Sequence, residues 1–255
     1  MKVKKVNIAA ILINTILIVL INSCGMQNSP LSSDFQVPKI RTVAQWYVDT
    51  LTQNKLTKIN FKEYDKTGKL LHSENYSNDG ILKSQSDFSY DNNAKFEAVT
   101  FFGSAGQVDS SYKLTHILNN NGKVEKETKT SSKGDTLTCK VFDYDNKGNV
   151  VKETIINYSE NVKSETKYSY VYNNNGYLNE RITNLEPDGK YSVRDSLTYT
   201  NDKLTSIKVF TFNSSGSIQT ISTYSYNTYG FILYESIFDI SGKILKKIKY
   251  EYTYY

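Results

Sequence analysis

A short turn motif recurs from residue 64 to the end of the chain, and it constrains the fold more than any other feature. An aromatic or aliphatic residue is followed by Asp or Asn, two variable residues, Gly, any residue and an aliphatic residue, as in segments 64–70 and 144–150. Asp or Asn at the first position of a type I turn accepts hydrogen bonds from backbone N–H groups, and Gly at the fourth supplies the positive φ of a G1-bulge hairpin. Each copy therefore predicts a tight turn between antiparallel strands.

Eleven of the 13 glycines occupy this turn position. They are Gly68, Gly80, Gly106, Gly122, Gly134, Gly148, Gly176, Gly189, Gly216, Gly230 and Gly242. The turns form two interleaved series with spacings of 26 to 28 residues, so a repeat of about 27 residues contains two strands and two turns. Three shorter turns, Gln53-Asn54, Glu160-Asn161 and Asn201-Asp202, fit two-residue type I′ hairpins in which both central residues take positive φ.

Between the turns, side chains alternate as they do in strands. Tyr168, Tyr170 and Tyr172 share one face of the predicted strand. Lys167, Ser169 and Val171 alternate with them and share the other face. Counting from about Ile40, the sequence predicts an all-β antiparallel meander of about sixteen strands, forming an extended or spiralling sheet.

The first residues have the features of an export signal. Lys2, Lys4 and Lys5 precede an uncharged run over residues 6–21, which suits the apolar core of a signal peptide. The junction at residues 21–25 resembles a lipobox, with a small residue directly before Cys24. This resemblance implies a lipoprotein signal peptide over 1–23 and lipid attachment at Cys24. A flexible tether over 24–38 and a repeat domain over 39–255 would follow. The alternatives are ordinary secretion or an uncleaved anchor.

Charge and cysteine usage narrow the classes of partner. The chain has 31 basic and 26 acidic residues, and removal of the three signal-peptide lysines leaves 28 against 26. That balance predicts no nucleic-acid partner. Once Cys24 is lipidated, Cys139 is the only thiol, so no internal disulfide can form. His72 and His116 are too few and too scattered for a metal site, and the sequence predicts no cofactor. We expect His116 to pack on a face of the sheet.

The Tyr-Asp turns resemble the YD repeats of the RHS family. The literal matches are Tyr64-Asp65, Tyr90-Asp91 and Tyr144-Asp145, within roughly residues 55–250. In that family the repeats form sheets that spiral into a hollow shell housing a toxin. This array is too short for such a shell and lacks the family's C-terminal core motif. It also looks like MORN-variant repeats and like the single-layer sheets of spirochaete outer surface lipoproteins.

The aligned tyrosines are the candidate binding residues. We single out Tyr168, Tyr170, Tyr172, Tyr224, Tyr226, Tyr250 and Tyr252, which can stack on sugars or proteins or act only as cross-strand pairs. No catalytic motif occurs, so no enzyme is expected. The sequence predicts a lipid-anchored envelope protein, with the outer membrane as the expected membrane, that binds or scaffolds polysaccharide or protein. One alternative is an accessory or immunity component of an RHS-type toxin system.

The other alternative is a sixteen-strand transmembrane barrel, because even strand counts and aromatic-bearing strands fit one. Against it, Lys152, Ser206 and Lys208 are expected to interrupt the aromatic side of the sheet.

Overall fold

The computed structural model describes residues 38–49, 55–185, 192–200, 203–212 and 218–255. The predicted signal peptide, Cys24, almost all of the tether and two of the turn glycines, Gly189 and Gly216, lie outside the described residues. So do the Gln53-Asn54 and Asn201-Asp202 turns.

The described residues form sixteen strands and no helix. The strands are β1 (Ile40–Val48), β2 (Leu56–Tyr64), β3 (Leu70–Tyr76), β4 (Leu82–Tyr90), β5 (Ala94–Phe102), β6 (Val108–Leu118), β7 (Val124–Ser131), β8 (Thr136–Tyr144), β9 (Val150–Asn157), β10 (Val162–Tyr172), β11 (Leu178–Leu185), β12 (Ser192–Thr200), β13 (Lys203–Phe212), β14 (Ile218–Tyr226), β15 (Ile232–Phe238) and β16 (Ile244–Tyr254). The predicted all-β meander is therefore confirmed. None of the described segments is a helix with the length and hydrophobicity that a membrane span requires.

The meander closes on itself. Each strand pairs antiparallel with its sequence neighbour, and β1 pairs with β16, so the sheet is a closed sixteen-stranded barrel. At this seam Thr42 lies opposite Thr253, and their hydroxyl oxygens are 2.6 Å apart. Closure gives the first and last strands a hydrogen-bonding partner on both sides, so neither is left as an open edge.

The turns have the geometry that the repeated motif predicts. Nine of the turn glycines have φ between 72° and 92°. They are Gly68, Gly80, Gly106, Gly122, Gly134, Gly148, Gly176, Gly230 and Gly242. In the first of these turns the N–H of Gly68 donates to the carbonyl of Asp65 at 3.0 Å. The side chain of Asp65 accepts from the N–H groups of Thr67 and Lys69 at 2.7 and 2.9 Å. Asp65 and Gly68 therefore fix this turn from opposite ends.

The turn at Glu160-Asn161 is not the predicted two-residue type I′ hairpin. Asn161 has a φ of 52°, but it is the one non-glycine residue with positive φ among the described residues, so Glu160 does not. Asn157 pairs directly with Val162, which leaves a four-residue loop. The Asn157 side chain accepts from the N–H of Ser159 at 3.1 Å, and this bond starts the loop two residues earlier than the sequence indicates.

The two faces of the barrel differ in burial. The strand registers place every buried residue except Cys139 on the same face of the sheet, which in a closed barrel is the inner face. Tyr168, Tyr224 and Tyr250 belong to it. Lys152, Ser206 and Lys208 lie on the opposite, outer face, so the expectation that they interrupt the aromatic side is wrong.

Candidate functional site

Tyrosines concentrate at one end of the barrel. All even-numbered strands run toward this end, which we call the tyrosine mouth. It holds twelve of the 21 tyrosines: Tyr64, Tyr90, Tyr144, Tyr170, Tyr172, Tyr177, Tyr199, Tyr226, Tyr229, Tyr252, Tyr254 and Tyr255. The opposite end has fewer, among them Tyr158 in the β9–β10 loop. The ends of the barrel are therefore chemically different.

Some of the mouth tyrosines have a structural task that recurs with the repeat. The hydroxyl of a tyrosine near the end of an even strand donates to the carbonyl of the first residue of the preceding strand, twenty residues earlier. The pairs are Tyr90 with Leu70 (2.9 Å), Tyr144 with Val124 (2.6 Å), Tyr170 with Val150 (2.6 Å) and Tyr252 with Ile232 (2.8 Å). Each bond ties a strand end to the bulge beside the preceding turn at the mouth, which explains why tyrosine recurs there.

Lysines from the turns lie over several mouth rings. The ammonium nitrogens of Lys69, Lys123 and Lys147 lie 5.2, 5.6 and 3.8 Å from the ring centres of Tyr90, Tyr144 and Tyr172. Such cation–π contacts contribute about 0.5–1 kcal/mol each at exposed sites. Lysine ammonium groups therefore accompany the aromatic rings of the mouth.

Four aromatic rings meet at one side of the mouth. We call Tyr229, Phe231, Tyr252 and Tyr254 the aromatic cluster. Phe231 lies 5.2 Å from Tyr252 and 6.2 Å from Tyr254, ring centre to ring centre, and Tyr229 lies 5.7 Å from Tyr254. The rings come from the β14–β15 turn and from the end of β16, and Tyr229 remains 38% exposed. The four rings therefore form a continuous aromatic surface at the mouth.

The seven candidate tyrosines divide between two depths. Tyr170, Tyr172, Tyr226 and Tyr252 lie at the mouth. The other three lie further down the inner face: Tyr250 is 3% exposed, Tyr224 is 9% exposed, and Tyr168 bonds to Glu153 at 3.0 Å. The deeper tyrosines belong to the barrel wall, where partners already occupy their hydroxyl groups.

Tyr224 and Tyr250 meet at a buried carboxyl. The hydroxyls of Tyr250 and Tyr224 donate to Glu235 at 3.0 and 3.4 Å, and Glu235 is 3% exposed. Burial raises the pKa of the Glu235 carboxyl and of both phenols. Burial also raises the pKa of Tyr170 to about 12. The phenols therefore remain protonated donors at neutral pH.

A belt of alternating acids and bases crosses the inner face from β5 to β9. His116 lies 3.6 Å from Glu97 and 3.3 Å from Glu127, and Lys140 lies 3.5 Å from Glu127 and 3.6 Å from Glu153. His116 is buried at 6% exposure, but its neighbours are carboxylates and not the apolar residues of its own strand. Each basic group of the belt contacts a carboxylate of a neighbouring strand, as expected of a structural network.

Sequence reasoning missed this belt because its members come from different strands. One signal could have revealed it: Glu127, Lys140 and Glu153 are spaced by 13 residues, about half a repeat. A charge at one position of successive strands indicates a row across the sheet.

The remaining titratable candidates lie on the outer face or within the wall. His72 lies 2.7 Å from Asp87 and 3.6 Å from Glu74 on the outer face. Cys139 is a free thiol and is buried. Within the part of the chain that the structure describes, no cluster of three or more His, Cys, Asp or Glu residues could hold a metal ion.

No protein-family model and no curated protein matches the chain. Among solved structures, the chain is similar to two porin-like proteins. For that from Bacteroides uniformis the identity is 11% and the TM-score 0.37, over 84% of this chain and 98% of that one. For that from Bacteroides vulgatus the identity is 13% and the TM-score 0.46, over 85% and 99%. The TcdB2–TccC3 complex is 13% identical with a TM-score of 0.34, over 76% of this chain and 10% of that one. With TM-scores below 0.5, these similarities do not bear on function.

Proposed function

We propose that the chain is a lipid-anchored, non-catalytic protein of the cell envelope that binds polysaccharide at the tyrosine mouth. The observation that supports this most directly is the aromatic cluster, in which contacting ring centres lie 5.2 to 6.5 Å apart. The anchor is the acylated Cys24 that the sequence predicts, and the expected location is the outer membrane.

Aromatic rings at a barrel mouth suit sugars for a chemical reason. The C–H bonds on one face of a pyranose are slightly positive, and the faces of tyrosine and phenylalanine rings carry negative charge density. Ligand sites typically combine such apolar surface with a few placed polar groups. At the mouth, Lys66 and Arg41 lie 5.9 and 6.0 Å from the ring of Tyr255, the residue that follows Tyr254 of the cluster. A sugar stacked there would have donors for its hydroxyl and acidic groups.

A membrane-spanning barrel is the second candidate, since the sheet closes with an even number of strands. The outer face argues against it. On β10 alone the residues Lys163, Glu165 and Lys167 point outward, and on β16 so do Lys247, Lys249 and Glu251. A lysine facing lipid near the bilayer midplane costs about 2–4 kcal/mol. The charged wall is therefore better matched to water, with the acyl chains as the membrane attachment.

Phase separation in a non-ionic detergent distinguishes these two candidates. The test chain is exported with an ordinary cleavable signal peptide and carries Cys24→Ser, so that it has no acyl chains. We expect it to partition into the aqueous phase, whereas the acylated protein enters the detergent phase. Partitioning of the non-acylated chain into detergent would favour the membrane-spanning barrel.

Affinity electrophoresis of the purified full-length protein in gels containing envelope polysaccharides tests the binding surface. We expect retardation of the wild type and at least tenfold weaker binding after the double change Phe231→Ala and Tyr254→Ala. The matched control is Tyr158→Ala, which removes a 54% exposed ring at the opposite end of the barrel. If no polysaccharide retards the wild type, or if the control weakens binding as much as the cluster variant, the proposal is wrong.

A further inference from the structure

A row of inward side chains links the aromatic cluster to a lysine. Val43 pairs with Tyr252 on one side and with Lys62 on the other, and Lys62 pairs in turn with Ser73, which pairs with Ser86. Neighbouring strands lie about 4.8 Å apart, so the backbones at Tyr252 and Lys62 are roughly 10 Å apart. Both serines are buried, and their small side chains line this part of the inner wall beside Lys62.

Lys62 differs from the other inward lysines. Among the described residues no carboxylate lies within ion-pair distance of it, whereas Lys140 contacts two glutamates and Lys129 lies 3.8 Å from the Tyr112 ring centre. Burial lowers the pKa of Lys62, and the nearby positive charge of Lys95 lowers it further. An unmatched cation in a wall has an electrostatic cost that a bound anion would offset.

Asn60, on the same strand as Lys62, has a buried oxygen that accepts no hydrogen bond from the described residues. Asn60 donates from Nδ2 to Asn75 Oδ1 at 2.7 Å, and Asn75 donates from Nδ2 to Ser84 Oγ at 3.2 Å. This chain leaves Asn60 Oδ1 buried and without a donor among the described residues. Asn60 and Lys62 are two residues apart on β2, so they point to the same side. Their common ligand has to offer both a negative group and a hydroxyl.

We propose that this wall binds an acidic sugar, with its carboxylate at Lys62 and Lys95 and one of its hydroxyls donating to Asn60 Oδ1. Lys62 is two residues from the mouth end of β2, and Lys95 is the second residue of β5 at the same end, so both are reached from the tyrosine mouth. The inference rests on the proposed function, because the aromatic cluster would hold the neighbouring sugars of the same polymer. It assigns the class of ligand: polysaccharides that contain uronic acids.

Calorimetric titration of the full-length protein with trigalacturonate and with its methyl ester tests this proposal. The two probes have the same sugar backbone and differ mainly in charge. We expect the wild type to bind the acid at least tenfold more tightly than the ester, Lys62→Met to lose that preference, and Lys62→Arg to keep it. Lys129→Met, which removes an inward lysine far from the mouth, should also keep it. Equal affinity of the wild type for both probes, or an unchanged preference in Lys62→Met, would overturn the proposal.

The same titrations separate the two proposals. If the wild type binds acid and ester equally and the Phe231→Ala/Tyr254→Ala variant weakens both, the acidic site is wrong and the proposed function stands. If the acid preference depends on Lys62 but the cluster variant binds as the wild type does, the cluster is not the binding surface and the acidic site stands. If the wild type binds neither probe, the acidic site fails, and the electrophoretic test of other polysaccharides decides the proposed function.

Discussion

The ion pair of Arg181 and Asp195 allows a sharp test of the inner face. Asp195 Oδ2 accepts from Arg181 Nε at 2.8 Å and from a terminal guanidinium nitrogen at 2.5 Å, and the two side chains are 4% and 0% exposed. Asp195→Ala would leave the guanidinium buried and uncompensated, which costs about 3–5 kcal/mol. In a domain of about 200 residues each kcal/mol lowers Tm by about 2–4 °C, so we expect a fall of roughly 6–20 °C.

Thermal unfolding followed by circular dichroism measures this effect. The double change Arg181→Met and Asp195→Leu should restore Tm to near the wild-type value, because buried ion pairs are often replaced by apolar residues at little cost. The matched control is Glu251→Ala, which breaks the solvent-exposed pair with Lys249 and should cost only about 0.2–1 kcal/mol. If Asp195→Ala has the same Tm as the control, or if the double variant is as unstable as the single one, the assignment of these residues to the interior is wrong.

Three further changes test the turns, the mouth and a buried acid. Gly176→Val should lower the free energy of unfolding in urea by at least about 1–2 kcal/mol, because φ is +81° at this position. No atom lies within 4 Å of the added Cβ, so the cost would come from the backbone conformation and not from a clash. Wild-type stability of this variant would contradict the turn assignment. Tyr144→Phe should cost about 1 kcal/mol through loss of the 2.6 Å bond to the Val124 carbonyl; an unchanged urea midpoint would refute that role. Burial raises the pKa of Glu235, so the stability from its bound proton is present at acid pH and is lost as pH rises through the folded pKa. The unfolding midpoint of Glu235→Gln should therefore rise relative to that of the wild type between pH 4 and pH 7. A difference in midpoint that does not change with pH would contradict this.

The turns and strands could be predicted from the sequence because local chemistry determines them. Asp65 and Gly68 are three residues apart in the motif and form the turn by themselves, with the N–H of Gly68 bonded to the carbonyl of Asp65. The Glu160-Asn161 loop was mispredicted for an equally local reason. The Asn157 side chain accepts a hydrogen bond from the N–H of Ser159, which favours the longer loop over the two-residue turn. The spacing of the glycines does not indicate this hydrogen bond.

Closure and the inner sites could not be predicted, because they depend on register and on twist summed over the whole sheet. Whether β1 reaches β16 is decided by the small rotation between each pair of strands, which the turn motif does not contain. The row from Tyr252 through Val43 to Lys62 joins the last strand to the first two strands and exists only after closure. The tyrosines could therefore be identified as candidates from the sequence, but their position near Lys62, a lysine without an ion-pair partner among the described residues, could not.

A disulfide across the seam tests closure, on which the tyrosine mouth and the acidic site both depend. Thr42 and Thr253 lie directly opposite each other on β1 and β16, and directly opposed strand residues are close enough for a disulfide. In the full chain carrying Thr42→Cys and Thr253→Cys, mild oxidation should link the two cysteines within one molecule, giving a monomer that migrates faster on non-reducing gels. Formation of intermolecular dimers alone, or of no link, would show that the sheet is open.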